Sequence, residues 1–210
     1  MDLSDLRIKK DIRIQSTDAL IVVDVQNDFM PYGTLPVAEG DLIVPGINKL
    51  IEKFLKGRAS IVLTQDWHTP KHQSFASAHA GKKPYEPYSA GGIGPILWPD
   101  HCVQGTNGAD MHPDLNMKSA RLIIRKGFNP EIDSYSAFEE NDKKTETGLS
   151  GYLRSIGVRR VFLCGLALDY CVCYTAIDGR KLRFTVVVIT DLTRSVGAPE
   201  GNVSSALAEM

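Results

Sequence analysis

Apolar residues recur along the chain in two alternating patterns. Several short runs are continuously apolar and rich in β-branched residues, which is typical of strands buried on both faces of a sheet. Between them lie stretches with apolar residues at helical spacing, and Gly57 closes the first of these. The predicted strands are 19–25, 60–64, 121–125, 161–166 and 184–190, and the predicted helices are 41–57, 147–156, one starting near Asp169 and one starting near Ala198 or Glu200.

This alternation predicts an α/β fold with three layers in α/β/α order and a central parallel sheet. The chain has no internal repeat, low-complexity tract or linker, so we expect residues 1–210 to form a single domain that begins with a short polar leader at 1–17. The exception is 67–120, which has little periodicity and holds all five histidines. Such a long connection is typical of a functional loop or of disorder, and its tryptophans and tyrosines favour a functional loop.

Composition and charge exclude several classes of function. Apolar residues make up 43% and charged residues 23% of the 210 positions, as in soluble globular proteins. Lys plus Arg number 24 against 25 Asp plus Glu, which leaves no basic surplus for binding a nucleic acid or an anionic membrane. No apolar run approaches the ~18 residues of a membrane span, and the mixed-charge N-terminal segment lacks the apolar region of a secretory signal. With four cysteines, we expect a cytoplasmic protein with free thiols.

Reactive side chains follow several of the predicted strands. Asp24, Lys126 and Cys171 come at or shortly after the carboxyl ends of three strands, where ligands bind in open parallel sheets. We predict that Asp169 caps the next helix and places Cys171 near its N-terminus, where backbone N–H groups and a nearby ammonium favour the thiolate. A carboxylate, an amine and a thiol are what an acyl-transfer nucleophile requires, and residues 165–171 offer N–H groups for an oxyanion.

A second set of residues has the composition of a metal site. Asp66 and His68 lie two positions apart at a strand end, so their side chains leave on the same side. A carboxylate with an imidazole suits one divalent metal ion, with His101 as a candidate third ligand. His72 is a candidate for a further ligand or for a contact to the ligands. We expect zinc, ahead of manganese and iron, in such a site.

Five motifs resemble, in order, those of the nicotinamidase/pyrazinamidase branch of the isochorismatase-like cysteine hydrolases. They are VVDVQNDF, QDWH with PKHQSFA, WPDHCVQGTNGADMHP, IIRKG with SYSAF, and GLALDYCV. The resemblance extends from about Ala19 to about Arg194. It implies the isochorismatase-like hydrolase fold with a six-stranded parallel sheet. It also implies hydrolysis of nicotinamide to nicotinate and ammonia through a cysteine thioester, as a step of NAD salvage.

The resemblance also implies roles for individual residues. The implied catalytic triad is Asp24, Lys126 and Cys171. The implied metal ligands are Asp66, His68 and His101, with His72 matching a position that assists in some members. The implied pocket for a flat aromatic ring is lined by Phe29, Trp98 and Tyr135. The implied oxyanion hole is made by the N–H groups of Ala167 and Cys171, beside a cis peptide bond between Leu166 and Ala167.

The sequence leaves other functions and several details open. The alternatives are a metal-independent amidase of the same superfamily acting on ureido or carbamoyl substrates, a metal-hydroxide hydrolase in which Cys171 is structural, and a non-catalytic metal-binding or scaffolding protein. We expect a small-molecule substrate and no nucleic-acid or membrane partner, and homo-oligomerisation stays open. Leu168 stands where many members of the family have threonine, and members usually continue into an edge strand beyond the position of Met210. The native metal and the preference between nicotinamide and pyrazinamide are not determined.

Overall fold

Five parallel strands form the centre of the structure, a computed structural model that describes residues 12–210. The strands are β1 (Asp18–Val23), β2 (Ser60–Asp66), β3 (Leu122–Lys126), β4 (Arg160–Leu166) and β5 (Thr185–Arg194). The helices are α1 (Val44–Lys56), α2 (Leu149–Ser155), α3 (Cys173–Lys181) and α4 (Asn202–Glu209). The strand order is β3–β2–β1–β4–β5. Residues 1–11 of the expected polar leader lie outside the described part of the chain.

The inner strands explain the continuous apolar runs. Every residue of β1 and β2 is buried, as is every residue of β4 except Arg160. Helices therefore cover both faces of the sheet, with α1 packed on β1 and β2 and α3 packed on β5. This arrangement confirms the predicted α/β/α architecture with a parallel sheet.

Several details differ from the predictions. The sheet has five strands among residues 12–210 rather than the six that the resemblance implied. The predicted helix at 41–57 begins with a 3-10 turn over Asp41–Ile43, and the left-handed residue after it is Arg58 rather than Gly57. The helix expected near Asp169 is preceded by a π-helical turn, Leu168–Val172, and becomes α-helical only at Cys173.

The strand order places the switch point of the sheet between β1 and β4. From β1 the chain proceeds to β2 and β3 on one side, and then returns to β4 on the other side of β1. The crevice beyond the carboxyl ends of these two strands is where open α/β sheets bind ligands. Gly165 permits the close approach there: its φ is +106°, and a Cβ at this position would lie 2.1 Å from the carbonyl oxygen of Val23.

The connection between β2 and β3 is folded against the sheet. It contains three 3-10 turns, Ala76–Ala78, Asn107–Ala109 and Met117–Ser119. Its aromatic residues Phe75 and Trp98 are buried, so the connection packs as a folded segment. Between residues 12 and 210, no helix combines the length and the hydropathy needed to cross a bilayer.

Candidate active site

One buried ammonium group contacts most of the reactive side chains. The Nζ atom of Lys126, at the end of β3, lies 2.9 Å from Asp24 Oδ2, 2.8 Å from Asp66 Oδ1 and 3.5 Å from Cys171 Sγ. It also donates to the carbonyl oxygen of Ser134 at 2.9 Å. The carboxyl ends of four neighbouring strands thus deliver an amine, two carboxylates and a thiol to one point.

Electrostatics give the two carboxylates different proton affinities. Burial alone lowers the pKa of Lys126, but Asp24 and Asp66 outweigh it and hold that pKa well above its usual value. Burial raises the pKa of Asp66, but Lys126 and His68 bring it well below its ordinary value. For Asp24 the effect of burial prevails over that of Lys126, so its pKa is raised. Asp24 is therefore the carboxylate that accepts a proton more readily.

The thiol of Cys171 is not activated in the way the sequence predicted. Burial raises its pKa well above the ordinary value, and the lowering by Lys126 is opposed by Asp24 and Asp66. The π-helical turn also puts Cys171 at its fourth residue rather than at the start of a helix. The expectation of a low thiol pKa is therefore wrong, and Cys171 needs a base to take its proton. A carboxylate oxygen of Asp24 lies within 4.8 Å of its sulfur.

Asp24 is held in place by a residue that the sequence analysis missed. The hydroxyl of Thr64 donates to Asp24 Oδ1 at 2.6 Å and accepts from the backbone N–H of Asp24 at 3.1 Å. Thr64 lies two positions before Asp66 in β2, so both side chains leave the same face of the sheet. The available signal was a polar residue, Thr64, directly after the apolar run 61–63 of β2.

Asp66, His68 and His101 form a donor set suited to a metal ion. One ligand atom from each lies within 4.8 Å of the others, and all three residues are buried. The Nε2 atoms of His68 and His101 lie 3.2 and 3.6 Å from Asp66 Oδ2. The Nδ1 atoms face the carbonyl oxygens of Gly127 and Pro99 at 3.0 and 2.8 Å, an arrangement typical of metal-bound imidazoles. These residues therefore fit a divalent ion.

His72 is not part of this donor set. Its Nε2 atom lies 2.7 Å from the carbonyl oxygen of Asn129, and its Nδ1 atom lies 2.8 Å from Ser74 Oγ. Both ring nitrogens are thus occupied by the protein. The ring packs against His68 with 4.4 Å between centroids, and burial lowers its pKa to about 4. Of the two roles considered for His72, the geometry favours that of supporting His68.

The residues expected to hold an aromatic ring line a single cavity. Phe29, Trp98 and Tyr135 face it together with His101 and Cys171. Trp98 Nε1 donates to the Tyr135 hydroxyl at 3.0 Å, which in turn donates to the carbonyl oxygen of Gly94 at 2.9 Å. The two aromatic side chains are therefore fixed relative to each other.

The turn between β4 and Cys171 carries the backbone groups expected to bind an oxyanion. The peptide bond between Leu166 and Ala167 is cis, as the resemblance implied. Ala167 faces the cavity, and its N–H has no acceptor among residues 12–210. Asp169 does not cap the following helix as predicted, because its carboxylate accepts the backbone N–H groups of Val196 and Gly197 instead.

A family model, described as the isochorismatase domain, matches residues 18–210. The chain belongs to the isochorismatase family. A nicotinamidase from Acinetobacter baylyi is 50% identical over 91% of this chain and 87% of its own length. A nicotinamidase from Escherichia coli is 42% identical over 91% of this chain and 90% of its own length.

Solved structures of this isochorismatase family show the same fold. A nicotinamidase/pyrazinamidase from Acinetobacter baumanii superimposes with a TM-score of 0.88 at 47% identity, covering 93% of this chain and 92% of its own. A protein from L. infantum in complex with nicotinate has a TM-score of 0.79 at 42% identity, with 94% and 90% covered. A pyrazinamidase from Pyrococcus horikoshii in complex with zinc has a TM-score of 0.73 at 41% identity, with 92% and 93% covered.

Three further residues support the site in this member of the isochorismatase family. Gln26 bonds both the N–H and the carbonyl of Asp66, each at 2.8 Å, and so fixes the backbone of that residue. Asp28 Oδ2 accepts the N–H of Cys102, next to His101, at 2.7 Å. Asp133 faces the cavity with a buried Oδ2 that has no partner among the described residues. Such an unpaired oxygen indicates a site for a hydrogen-bond donor from outside the chain.

The two histidine environments give a test of the metal site. We expect His101→Gln to weaken binding of one Zn²⁺ per chain on the order of 100-fold, because it removes one of three ligand atoms. His79→Gln is the matched control and should change the affinity far less, since His79 lies outside the donor set and its Nε2 atom bonds to the carbonyl oxygen of Gln73 at 2.8 Å. Competition with a chromophoric chelator measures both affinities. Equal losses in the two variants would contradict the assignment of His101 as a ligand.

Proposed function

We propose that the chain is a nicotinamidase that hydrolyses nicotinamide to nicotinate and ammonia, with Cys171 as nucleophile. The observation that carries the proposal is the contact of the Lys126 ammonium with both the Cys171 sulfur and the Asp24 carboxylate, next to a cavity that Cys171 lines together with aromatic side chains. The nicotinamidase relatives and the nicotinate bound to the L. infantum protein support the choice of substrate. The product nicotinate would return to NAD salvage.

Asp66, His68 and His101 would hold the metal ion, and the zinc in the Pyrococcus horikoshii structure supports zinc as its identity. When bound, the ion would supply a Lewis acid for the lone pair of the pyridine nitrogen. The aromatic side chains of Phe29 and Trp98 would contact the flat ring, and their burial excludes water from it.

The acylation step follows from the proton affinities around Cys171. Asp24 takes the thiol proton while the sulfur forms a bond to the carboxamide carbon, and the Lys126 ammonium stabilises the negative charge that develops on the sulfur. The carbonyl oxygen becomes an oxyanion that accepts the N–H groups of Ala167 and Cys171. When the carbon–nitrogen bond breaks, Asp24 returns its proton to the leaving nitrogen, and ammonia departs.

The deacylation step uses the same base. The thioester on Cys171 is attacked by a water molecule that loses its proton to Asp24, and the oxyanion forms again at the N–H groups of Ala167 and Cys171. The carbon–sulfur bond then breaks, nicotinate is released, and Asp24 returns its proton to the sulfur. The raised pKa of the thiol favours this return to the resting state.

Replacement of Cys171 separates this mechanism from metal-hydroxide hydrolysis. We expect Cys171→Ala to reduce ammonia release from nicotinamide on the order of 10⁴-fold or more while metal binding persists, because the nucleophile is lost. Cys173→Ala is the matched control: its buried thiol has Ala206 O as its partner at 3.7 Å and is not a cavity-lining group, so activity should persist. Turnover that survives in metal-loaded Cys171→Ala would contradict the assignment of the nucleophile.

The hydrogen bond from Thr64 gives a second test, through pH dependence. Thr64 and Lys126 both lower the pKa of Asp24, against burial and the charge of Asp66. Thr64→Val removes the hydroxyl at nearly constant volume, so the pKa of Asp24 should rise and the base should be lost at a higher pH. We therefore expect the acidic limb of kcat/KM for nicotinamide to move to higher pH. An unmoved limb, or one moved to lower pH, would argue against Asp24 as the base.

A further inference from the structure

The loop between β5 and α4 forms one wall of the substrate cavity. This β5–α4 loop comprises residues 195–201, and its Val196 faces the cavity together with Cys171 and Ala167. The loop follows the half-exposed edge strand β5, and Val196 lies 25 residues beyond Cys171 along the chain. Something must therefore fix Val196 relative to Cys171.

Asp169, two residues before Cys171, bonds directly to this loop. Its carboxylate is 2% exposed and accepts the N–H of Val196 at 3.0 Å through Oδ1 and that of Gly197 at 2.9 Å through Oδ2. Asn202, at the start of α4, places its Nδ2 atom 3.3 Å from both Oδ2 and the backbone carbonyl of Asp169. No lysine, arginine or histidine of residues 12–210 forms a salt bridge with Asp169. These amide groups therefore balance the buried charge.

The next residue makes a second connection to the same loop. The hydroxyl of Tyr170 donates to the carbonyl oxygen of Ala198 at 2.5 Å, and its ring faces the cavity beside Trp98, with 4.7 Å between the ring centroids. The two residues preceding the nucleophile thus bond to three consecutive residues of the wall. Neither connection involves Asp24, Lys126 or the metal donor set.

We propose that Asp169 is a positioning residue that fixes the β5–α4 loop against the π-helical turn Leu168–Val172, which carries Cys171. Asp169 thereby sets the width of the substrate cavity. The proposal rests on the function proposed above for its kinetic consequences. With both N–H groups held, Val196 contacts one edge of the aromatic ring and excludes rings with an added substituent on that side. When the hydrogen bonds from Val196 and Gly197 to Asp169 are weakened, Val196 can move away from the ring. Binding of the ring then weakens, and the cavity admits bulkier rings.

Asp178 provides a matched control for the loss of a buried carboxylate. It is also 2% exposed and lies in α3, where Lys143 and Lys181 contact it at 3.1 and 2.9 Å. It is absent from the cavity lining. Asp178→Asn therefore removes a buried charge of equal exposure without touching the wall.

The experiment compares Asp169→Asn with Asp178→Asn. An asparagine at 169 can accept only one of the two N–H groups, because its own NH₂ opposes the other. We expect KM for nicotinamide to rise about tenfold in Asp169→Asn, with kcat changed less than about threefold, because a charge-assisted hydrogen bond is lost outside the reacting groups. The ratio of kcat/KM for a ring-methylated nicotinamide to that for nicotinamide should rise. Asp178→Asn should change neither quantity.

Hydrogen exchange tests the hydrogen bonds between Asp169 and the β5–α4 loop independently of turnover. In Asp169→Asn the amide hydrogens of Val196 and Gly197 should exchange at least about tenfold faster than in the wild type, and in Asp178→Asn they should not. If Asp169→Asn fails to fold, Tyr170→Phe removes the hydrogen bond to Ala198 and should accelerate exchange at residues 195–201. Unchanged exchange, or equal kinetic effects in Asp169→Asn and Asp178→Asn, would overturn the proposal. A wild-type protein that is inactive on nicotinamide would contradict the proposed function. The exchange measurement would then still decide whether Asp169 fixes the β5–α4 loop.

Discussion

The site depends on the burial of one ammonium group, that of Lys126. A buried charge is stable only when it is paired, and here two carboxylates, a carbonyl oxygen and a sulfur surround a nitrogen with three protons. The ammonium is therefore shared between Asp24, beside the Cys171 thiol, and Asp66, in the donor set with His68 and His101. Without it, two buried carboxylates would face each other uncompensated, at a cost of several kcal/mol.

The topology of the sheet explains how these groups meet. The spatial strand order β3–β2–β1–β4 places Lys126, Asp66, Asp24 and the turn with Cys171 side by side, although 42 to 147 residues separate the members along the chain. Asp66 and Lys126 are direct register partners in β2 and β3. Asp66 and Lys126 stand on paired parallel strands and Asp24 directly follows β1, so the ladder of backbone hydrogen bonds sets their positions. Cys171 lies in the π-helical turn that follows β4.

Sequence reasoning found the parts of the site that depend on strand ends, and missed the parts that depend on packing between distant segments. The positions of Asp24, Asp66, Lys126 and Cys171 follow from the ends of apolar runs and from local motifs. The role of Asp169 does not, because its partners lie 27 and 28 residues away in a loop without a pattern of its own. Helix-capping rules therefore predicted a local partner for it, and tertiary contacts supplied another.

The pKa of Cys171 was also predicted wrongly, because tertiary contacts rather than local sequence determine it. From the sequence, a helix N-terminus and a lysine favour the thiolate, but burial and two nearby carboxylates oppose it more strongly. Thr64 was missed for a related reason, since its hydroxyl matters only because β2 lies beside β1 and places it against Asp24. Proton affinities in this site depend on which strands are neighbours in the sheet. Local sequence patterns do not predict the order of the strands.

The central claim is that the sulfur of Cys171 bonds to the carbon of a pyridine-3-carbonyl group. A crystal structure of the metal-loaded protein with pyridine-3-carbaldehyde tests this directly, because an aldehyde can form a hemithioacetal but has no leaving group. The expected result is continuous density between Cys171 Sγ and the aldehyde carbon, with the oxygen facing the N–H groups of Ala167 and Cys171. An aldehyde seated in the cavity at saturating concentration without a bond to Sγ would contradict the claim.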